Sequence, residues 1–335
     1  MNWLRVLLLF IFLYIFSFAN SFANGYMLVD EEFIDEMIQK HDFDRDYLES
    51  IFSTVSIQER ALQIYAPKPK KSEDVSTKPK KKVYYWPKYK KIFITPPKVR
   101  AGALFVKKHR KALKRAYEKY GVDPYVIAAI IGIESHYGEN TGKYRVLDTL
   151  STLAFIPNRR NKFFKKELEE FLVFTQKTSF DPLKIKGSYA GAIGLGQFMP
   201  SSYNFFAVDF DMDGFSDPWD SEDAIGSVAK YLKENGWVKD GEIAVRAGYP
   251  GKRFNKLRTG YSRFYYLNKL RKYGIYPKKP VRNSKKAALI KLENEKFDEL
   301  WLGFKNFYVI TRYNHSAYYA MAVYLLAQKI KNISH

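Results

Sequence analysis

From Asp123 to Ser135 the sequence reads DPYVIAAIIGIES, and no other stretch restricts the fold as strongly. An Asp followed by Pro is a helix start: the Asp caps, and the Pro occupies the first helical position, where its missing N–H is not needed. The apolar run from Val126 to Ile131 leaves this helix without a polar face, so other elements must cover it on all sides. Beyond the cap its one carboxyl is Glu134, in Gly132-Ile133-Glu134-Ser135-His136-Tyr137-Gly138. A carboxyl set against apolar surface loses hydration, which favours its neutral form and raises its pKa. Such a group can protonate the leaving oxygen of a glycosidic bond. The plainer reading is a paired or solvated carboxylate at a helix end, and local sequence does not separate the two.

With 335 residues, 46% of them hydrophobic, the chain can form one large domain or two to three smaller ones around such a helix. The 26 Tyr and 26 Phe mostly fill core, with some flat surfaces for sugars or bases. A net charge of +21 calls for a polyanionic partner: nucleic acid, a phospholipid surface or an anionic cell wall. The first residues narrow this choice. A basic start at Met1 to Arg5 precedes an apolar run, Leu7 to Phe18, that is shorter than the roughly 20 residues of a bilayer span. Ser17-Phe18-Ala19 and Ser21-Phe22-Ala23 then follow the small-x-small pattern of secretory cleavage sites. Residues 1–23 therefore read as a signal peptide, with an uncleaved membrane anchor as the alternative. Export makes nucleic acid a poor candidate partner. The chain has no cysteine, so it has no disulfide, no thiolate metal site and no N-terminal Cys to carry a lipid.

The periodicity predicts an α+β protein, mainly helical. Residues 24–66 form a helical segment with two short amphipathic helices between Val29 and Tyr65. Residues 67–88 are a Lys- and Pro-rich linker, and 89–241 form the central body. Within that body the spacing predicts helices over Val99 to Tyr120, Phe163 to Lys177 and Asp220 to Asn235. Residues 242–306 form a small β-containing domain, and 307–335 return to the body. Strands are expected at Ala287 to Glu293, Glu299 to Gly303 and Phe307 to Tyr313, with a closing helix from Ser316 to Lys331.

Two loops carry further chemistry. The stretch from Gly187 to Pro200 is glycine-rich, which lets backbone approach a ligand, and its spacing is not that of a phosphate-binding loop. Ser188 and Gln197 are its polar side chains suited to a sugar. In Asp209-Phe210-Asp211-Met212-Asp213-Gly214-Phe215, acidic residues at positions 1, 3 and 5 with Gly at 6 match the opening of an EF-hand ion loop. Phe215 would offer its carbonyl, and either Asp220 or Asp223 the last carboxylate. The alternative is an acidic turn without metal. A single loop of this kind suits a structural ion, calcium or else sodium.

These segments resemble the lytic murein transglycosylase B family. The matching stretches are GVDPYVIAAIIGIESHYG, LDTLSTLAF, KGSYAGAIGLGQFMPSSY, AVDFDMDGFSDPWDSEDAIGSVA and ITRYNHSAYYAMAV, in order along roughly Tyr89 to Lys331. The resemblance implies a lysozyme-like core with flanking helices and a small β domain. It implies cleavage of the β-1,4 bond between N-acetylmuramic acid and N-acetylglucosamine, leaving a 1,6-anhydromuramic end. Glu134 matches the family's catalytic acid and base. Ser188, Gln197, Tyr231, Tyr313, Asn314 and Tyr319 match positions lining its active site. Arg159 and Arg160 match a pair suited to peptide-stem or lactyl carboxylates, and Tyr89 an aromatic of the glycan groove. Asp209, Asp211, Asp213 and Asp223 match its metal site.

Glu139 and Asp148 are acidic and close in sequence to Glu134 but match no catalytic role, so Glu134 is expected to act alone, first as acid and then as base. The resemblance further implies an exported, periplasmic monomer without organic cofactor. Its partners are peptidoglycan strands and other cell-wall enzymes. The missing lipid-accepting cysteine departs from many members and removes that route to the outer membrane. Other classes remain open at this stage: a non-catalytic wall-binding protein on the same fold, a hydrolytic muramidase, and a basic nucleic-acid binder.

Overall fold

A computed structural model describes residues 28–66, 85–281 and 285–334. The expected signal peptide and most of the Lys/Pro linker lie outside the described residues. Among the described residues three short helices come first: α1 (Glu31–His41), α2 (Arg45–Phe52) and α3 (Glu59–Tyr65), one more than the spacing predicts between Val29 and Tyr65. Asp30 and Asp44 cap the first two, each accepting a backbone N–H at 2.8 Å. The next four are α4 (Tyr85–Phe93), α5 (Pro96–Lys108), α6 (Arg110–Tyr120) and α7 (Pro124–Ser135).

The single helix expected over Val99 to Tyr120 is in fact two, divided at His109 (φ −103°, ψ 27°). No Gly or Pro marks the break. The His109 ring packs 4.5 Å from Phe105, one turn before the break. The described residues include the end of the expected linker, from Tyr85, where Trp86 is fully buried and stacks 5.9 Å from Tyr318.

After α7 the short strand β1 (Tyr144–Arg145) pairs antiparallel with β2 (Lys186–Gly187), and between them run α8 (Val146–Phe155) and α9 (Asn161–Thr178). Then come α10 (Pro200–Phe206) and α11 (Ser221–Glu234). The second sheet comprises β3 (Ala244–Gly248), β4 (Phe264–Tyr266), β5 (Tyr276–Pro277), β6 (Lys286–Leu292) and β7 (Glu299–Gly303), with α12 (Leu267–Lys272) between β4 and β5. Its order is β4-β6-β7-β3-β5, antiparallel throughout, with Leu289 opposite Leu302 at its centre. Leu270, Leu289, Leu300 and Leu302 form its small core.

The chain closes with α13 (Lys305–Tyr313) and α14 (Ala317–Ile333). The strand expected at Phe307 to Tyr313 is therefore a helix. Its β-branched and aromatic residues suggest a strand, but Phe307, Val309, Ile310 and Thr311 are all buried in helical form. Asn306 fixes its first turn by donating to the carbonyls of Val238 (2.8 Å) and Gly241 (3.0 Å).

Two compact units divide the chain, each drawing on separated segments. The first comprises, of the described residues, 28–66, 142–193 and 198–204. In it α9 packs on α8, and the buried Asp148 accepts from Arg145 Nε (2.8 Å) and Ser56 N (3.2 Å). The second comprises 85–141, 194–197 and the described residues from 205 onward. Here α7 is enclosed by α5, α6, α11 and α14, as its apolar circumference requires. Nine of its residues are buried, and its cap is the expected one: Asp123 accepts from Tyr125 N at 2.8 Å.

Candidate active site

The last turn of α7 is shaped to present Glu134. Beyond it His136 and Tyr137 adopt left-handed conformations (φ 54° and 61°), and Asn140 N donates to Ser135 O at 2.8 Å. This folds Tyr137 back over its own helix. A Cβ at Gly132 would lie 2.4 Å from the Tyr137 ring, so only glycine permits that return.

Glu134 itself remains partly accessible, while the atoms packed around its carboxyl remove most of its hydration. That desolvation pushes its pKa up from 4.5 to about 7. Two groups oppose the rise. Tyr319 OH donates to Oε1 at 2.6 Å, and the Lys98 ammonium acts through its charge. No other acidic side chain among the described residues contributes. Replacing Tyr319 with Phe removes a bond to the charged form, so it will raise the Glu134 pKa further. A ¹³C NMR titration of the carboxyl checks this, and an unmoved or lowered midpoint contradicts it.

Tyr319 is held by α14, whose cap residue Ser316 accepts from Tyr319 N at 3.3 Å. Tyr313 stacks parallel to Tyr319, with centroids 6.4 Å apart and planes 7° apart, and its OH donates to Gly196 O at 2.6 Å. Tyr231, from α11, packs edge-on to Tyr313 at 4.9 Å and donates to Arg312 O at 2.6 Å. The phenols of half-buried Tyr313 and buried Tyr319 are both pushed well above their ordinary pKa by desolvation and by the Glu134 charge. They stay neutral donors. Tyr89, on α4, also feels the Glu134 charge and packs 4.6 Å from Phe93. Asn314 is exposed between α13 and α14.

Gln197 belongs to the same unit and sits at φ 49°. Its amide nitrogen donates to Thr141 O (3.0 Å) and Gly194 O (2.8 Å), so Oε1, an acceptor, is its remaining polar atom. Gly194 is required at its position: φ is 70°, and a Cβ would lie 2.2 Å from Pro218 O. The structure thus gathers Glu134, Tyr89, Gln197, Tyr231, Tyr313, Asn314 and Tyr319 in one unit.

Ser188, Arg159 and Arg160 belong to the other unit. The Ser188 hydroxyl oxygen accepts from Ala192 N (3.0 Å) and Ala190 N (3.3 Å), closing the glycine loop on itself. Arg159 donates to the carbonyls of Ile64 (3.0 Å) and Tyr65 (3.3 Å) at the end of α3. Arg160 lies 3.8 Å above the Phe163 ring. Sequence reasoning did not single out Lys98, whose charge acts on Glu134, nor the pair Trp86 and Tyr318, which packs against Tyr89. The aromatic pair lies far apart along the chain, and Lys98 is one lysine in a chain with 56 basic residues, so neither carried a local signal.

In the acidic loop, carboxylate oxygens of Asp209, Asp211 and Asp223 lie within 4.8 Å of one another. Asp213 is outside this trio, and its Oδ1 accepts from Phe215 N at 2.9 Å. Asp220 caps α11, accepting from Glu222 N (2.6 Å) and Asp223 N (3.1 Å), which leaves Asp223 as the buried carboxylate of the group. Asp223 accepts backbone N–H from Phe210 (2.6 Å), Asp217 (2.7 Å) and Asp211 (3.4 Å). Burial nevertheless pushes its pKa up to about 6. Three convergent oxygen donors, one of them buried and short of counter-charge, suit a hard cation.

A mainly helical body with a small antiparallel sheet and one desolvated carboxyl under a phenol defines a lysozyme-like α+β protein. The family model described as a transglycosylase SLT domain matches residues 29–328, so the chain belongs to that family. Membrane-bound lytic murein transglycosylase B of Escherichia coli (strain K12) is 43% identical over 303 residues, 90% of this chain and 82% of the relative. The solved structure of Escherichia coli lytic transglycosylase SLT35 in complex with calcium is 42% identical, with a TM-score of 0.81 over 90% of this chain and 92% of the other. SltB3 from Pseudomonas aeruginosa in complex with NAG-anhNAM-pentapeptide is 28% identical, with a TM-score of 0.77 over 93% and 81% of the two chains.

Proposed function

We propose that this chain is a peptidoglycan lytic transglycosylase that cleaves the β-1,4 bond between N-acetylmuramic acid and N-acetylglucosamine and leaves a 1,6-anhydromuramic end. The observation that carries this reading is the Glu134 carboxyl, poised at about 7 beneath Tyr319 with no carboxylate among the described residues acting beside it. Two-carboxylate glycosidases divide acid and nucleophile or base between two residues. Here Asp148 is bound to Arg145 in the first unit, and Glu139 is exposed beside His136 at 3.4 Å. A single group with a pKa near neutrality can lose a proton and regain it at the working pH.

Protonated Glu134 gives its proton to the leaving oxygen as the C1–O4 bond breaks. The N-acetyl carbonyl of the same muramic residue stabilises the cationic C1. Glu134, now a carboxylate, takes the proton of the C6 hydroxyl, and O6 closes onto C1. Tyr319 holds the carboxylate between the two steps. Gln197 Oε1, Tyr313, Tyr231, Tyr89 and Asn314 are read as contacts to the glycan, and Ser188, Arg159 and Arg160 as contacts to the sugar or stem. The SltB3 complex with an anhydro-muropeptide supports this product.

Asp209, Asp211 and Asp223 would hold a calcium ion, with Asp213 and the Phe215 carbonyl as further donors after local adjustment. The ion would neutralise the carboxylates and fix the loop; the calcium complex of SLT35 supports this assignment. The chain is read as exported and periplasmic from its N-terminal sequence. Among the described residues no helix is long and apolar enough to cross a membrane.

Mass spectrometry of fragments released from purified sacculi tests the activity. Anhydro-ended products, lighter by one water than reducing ends, are expected. Reducing ends would mean a hydrolytic muramidase, and no release would mean a wall-binding protein.

A further inference from the structure

We propose that Lys98 is a positioning residue for Glu134: a buried counter-charge that sets how readily the carboxyl gives up and takes back its proton. This rests on the reading of Glu134 as acid and base. Lys98 stands in the first turn of α5, where Thr95 caps the helix by accepting from Lys98 N at 3.3 Å. A cation is unfavourable there, because the partial charge of a helix N-terminus is positive. Lys98 is also only 8% exposed, and a buried ammonium needs compensation. A surface lysine would gain nothing from this placement, so the compensation must be local.

Three features supply it. Lys98 Nζ donates to Gly132 O at 2.9 Å. That carbonyl lies at the C-terminal end of α7, where the His136 amide goes to Ile131 O instead of continuing the helix. The Phe93 ring lies 5.5 Å from Nζ. The third is the charge of Glu134, two residues after the carbonyl Lys98 binds. Tyr137 OH donates to Lys98 O at 3.0 Å and anchors the lysine backbone to the turn that follows Glu134.

The groups acting on Glu134 come from known elements. Lys98 comes from α5 and Tyr319 from α14. The phenols of Tyr313 on α13 and Tyr89 on α4 feel its charge, and Tyr231 on α11 acts on Tyr313. α6 supplies no charge to Glu134 among the described residues. Among the described residues Lys98 is therefore the cation acting on Glu134, and without it desolvation would hold the proton too tightly for the leaving-group step.

The test uses the full chain with Lys98→Gln, which keeps a donor for Gly132 O, together with Lys98→Met and Lys98→Arg. The Glu134 carboxyl is titrated by ¹³C NMR, its signal assigned by its loss in Glu134→Gln, and the alkaline limb of kcat is recorded on soluble glycan. Lys98→Gln and Lys98→Met should raise both midpoints by about one pH unit, the low end for a lost neighbouring charge. They should also lower plateau kcat about tenfold, since the acid is weaker. Lys98→Arg should restore the midpoint.

A structural role alone would lower the melting temperature and activity at every pH without moving the titration. An unmoved Glu134 midpoint in folded Lys98→Gln overturns the proposal. Cleavage retained by Glu134→Gln would overturn the underlying reading instead, and the two failures are read from different variants.

Discussion

Replacing Glu134 with Gln will abolish glycan cleavage and, at neutral pH, make the protein more stable. The loss of activity should reach about 10⁴-fold or more, the size expected of a side chain that supplies both the acid and the base step. The gain in stability follows from linkage. Folding raises this carboxyl from 4.5 to about 7, so the folded chain binds its proton more tightly than the unfolded chain does. Stability then falls as pH rises between those values, and the whole cost is present above the upper one. By the conversion of pKa shift to free energy that cost is about 3 kcal/mol as an upper bound. Gln keeps an acceptor for Tyr319 OH and carries no charge, so it removes the cost. A variant that melts a few degrees above the wild type at pH 8 and level with it near pH 4 is the expected pattern. Equal melting curves at both pH values would show that the carboxyl is not desolvated, and residual cleavage would remove Glu134 from the mechanism.

Replacing Asp223 with Ala should cause the largest loss of stability among single changes in the acidic loop. It removes the acceptor of three backbone amides, those of Phe210, Asp211 and Asp217. The Phe210 amide is buried, and its ring packs so close to α11 that a Cβ on Gly226 would lie 2.5 Å away. Leaving such donors unpaired costs about 3–5 kcal/mol in total, at roughly 1–3 kcal/mol for each buried group. Added calcium should raise the wild-type melting temperature relative to chelated protein, since a ligand of the folded state stabilises it by mass action. Asp223→Ala should lose that response. Calorimetry with and without calcium reads both effects. A calcium response that survives in Asp223→Ala would rule out the trio as the ion site.

Much of the fold is legible wherever a local pattern and a local cap agree. The α7 and α14 helices and strands β6 and β7 fall where periodicity places them, because each has caps or turns written beside it. Failures occur where packing outvotes propensity. Phe307 to Tyr313 has strand-like residues but is helical, its first turn tied to Val238 and Gly241 by Asn306. The break at His109 leaves no trace in the sequence, since the contact beside it, the ring of Phe105, is equally consistent with one long helix. Tyr85 to Lys88 look like linker until Trp86 is seen beneath Tyr318.

What the sequence by itself determined was the inventory: a helix with no polar face and one carboxyl near its end, a glycine-rich loop, and carboxylates at ion-loop spacing. Those follow from local rules of periodicity, capping and turn geometry. Only the tertiary structure decided the state of each group. Tyr319 reaches Glu134 across 185 positions of chain, and Lys98 answers its charge from another helix. Asp223 joins Asp209 and Asp211 in the carboxylate trio, while Asp220, just three residues before it, is the helix cap. Desolvation and counter-charge depend on what surrounds an atom in space, and a carboxyl has no fixed proton affinity until those neighbours are in place.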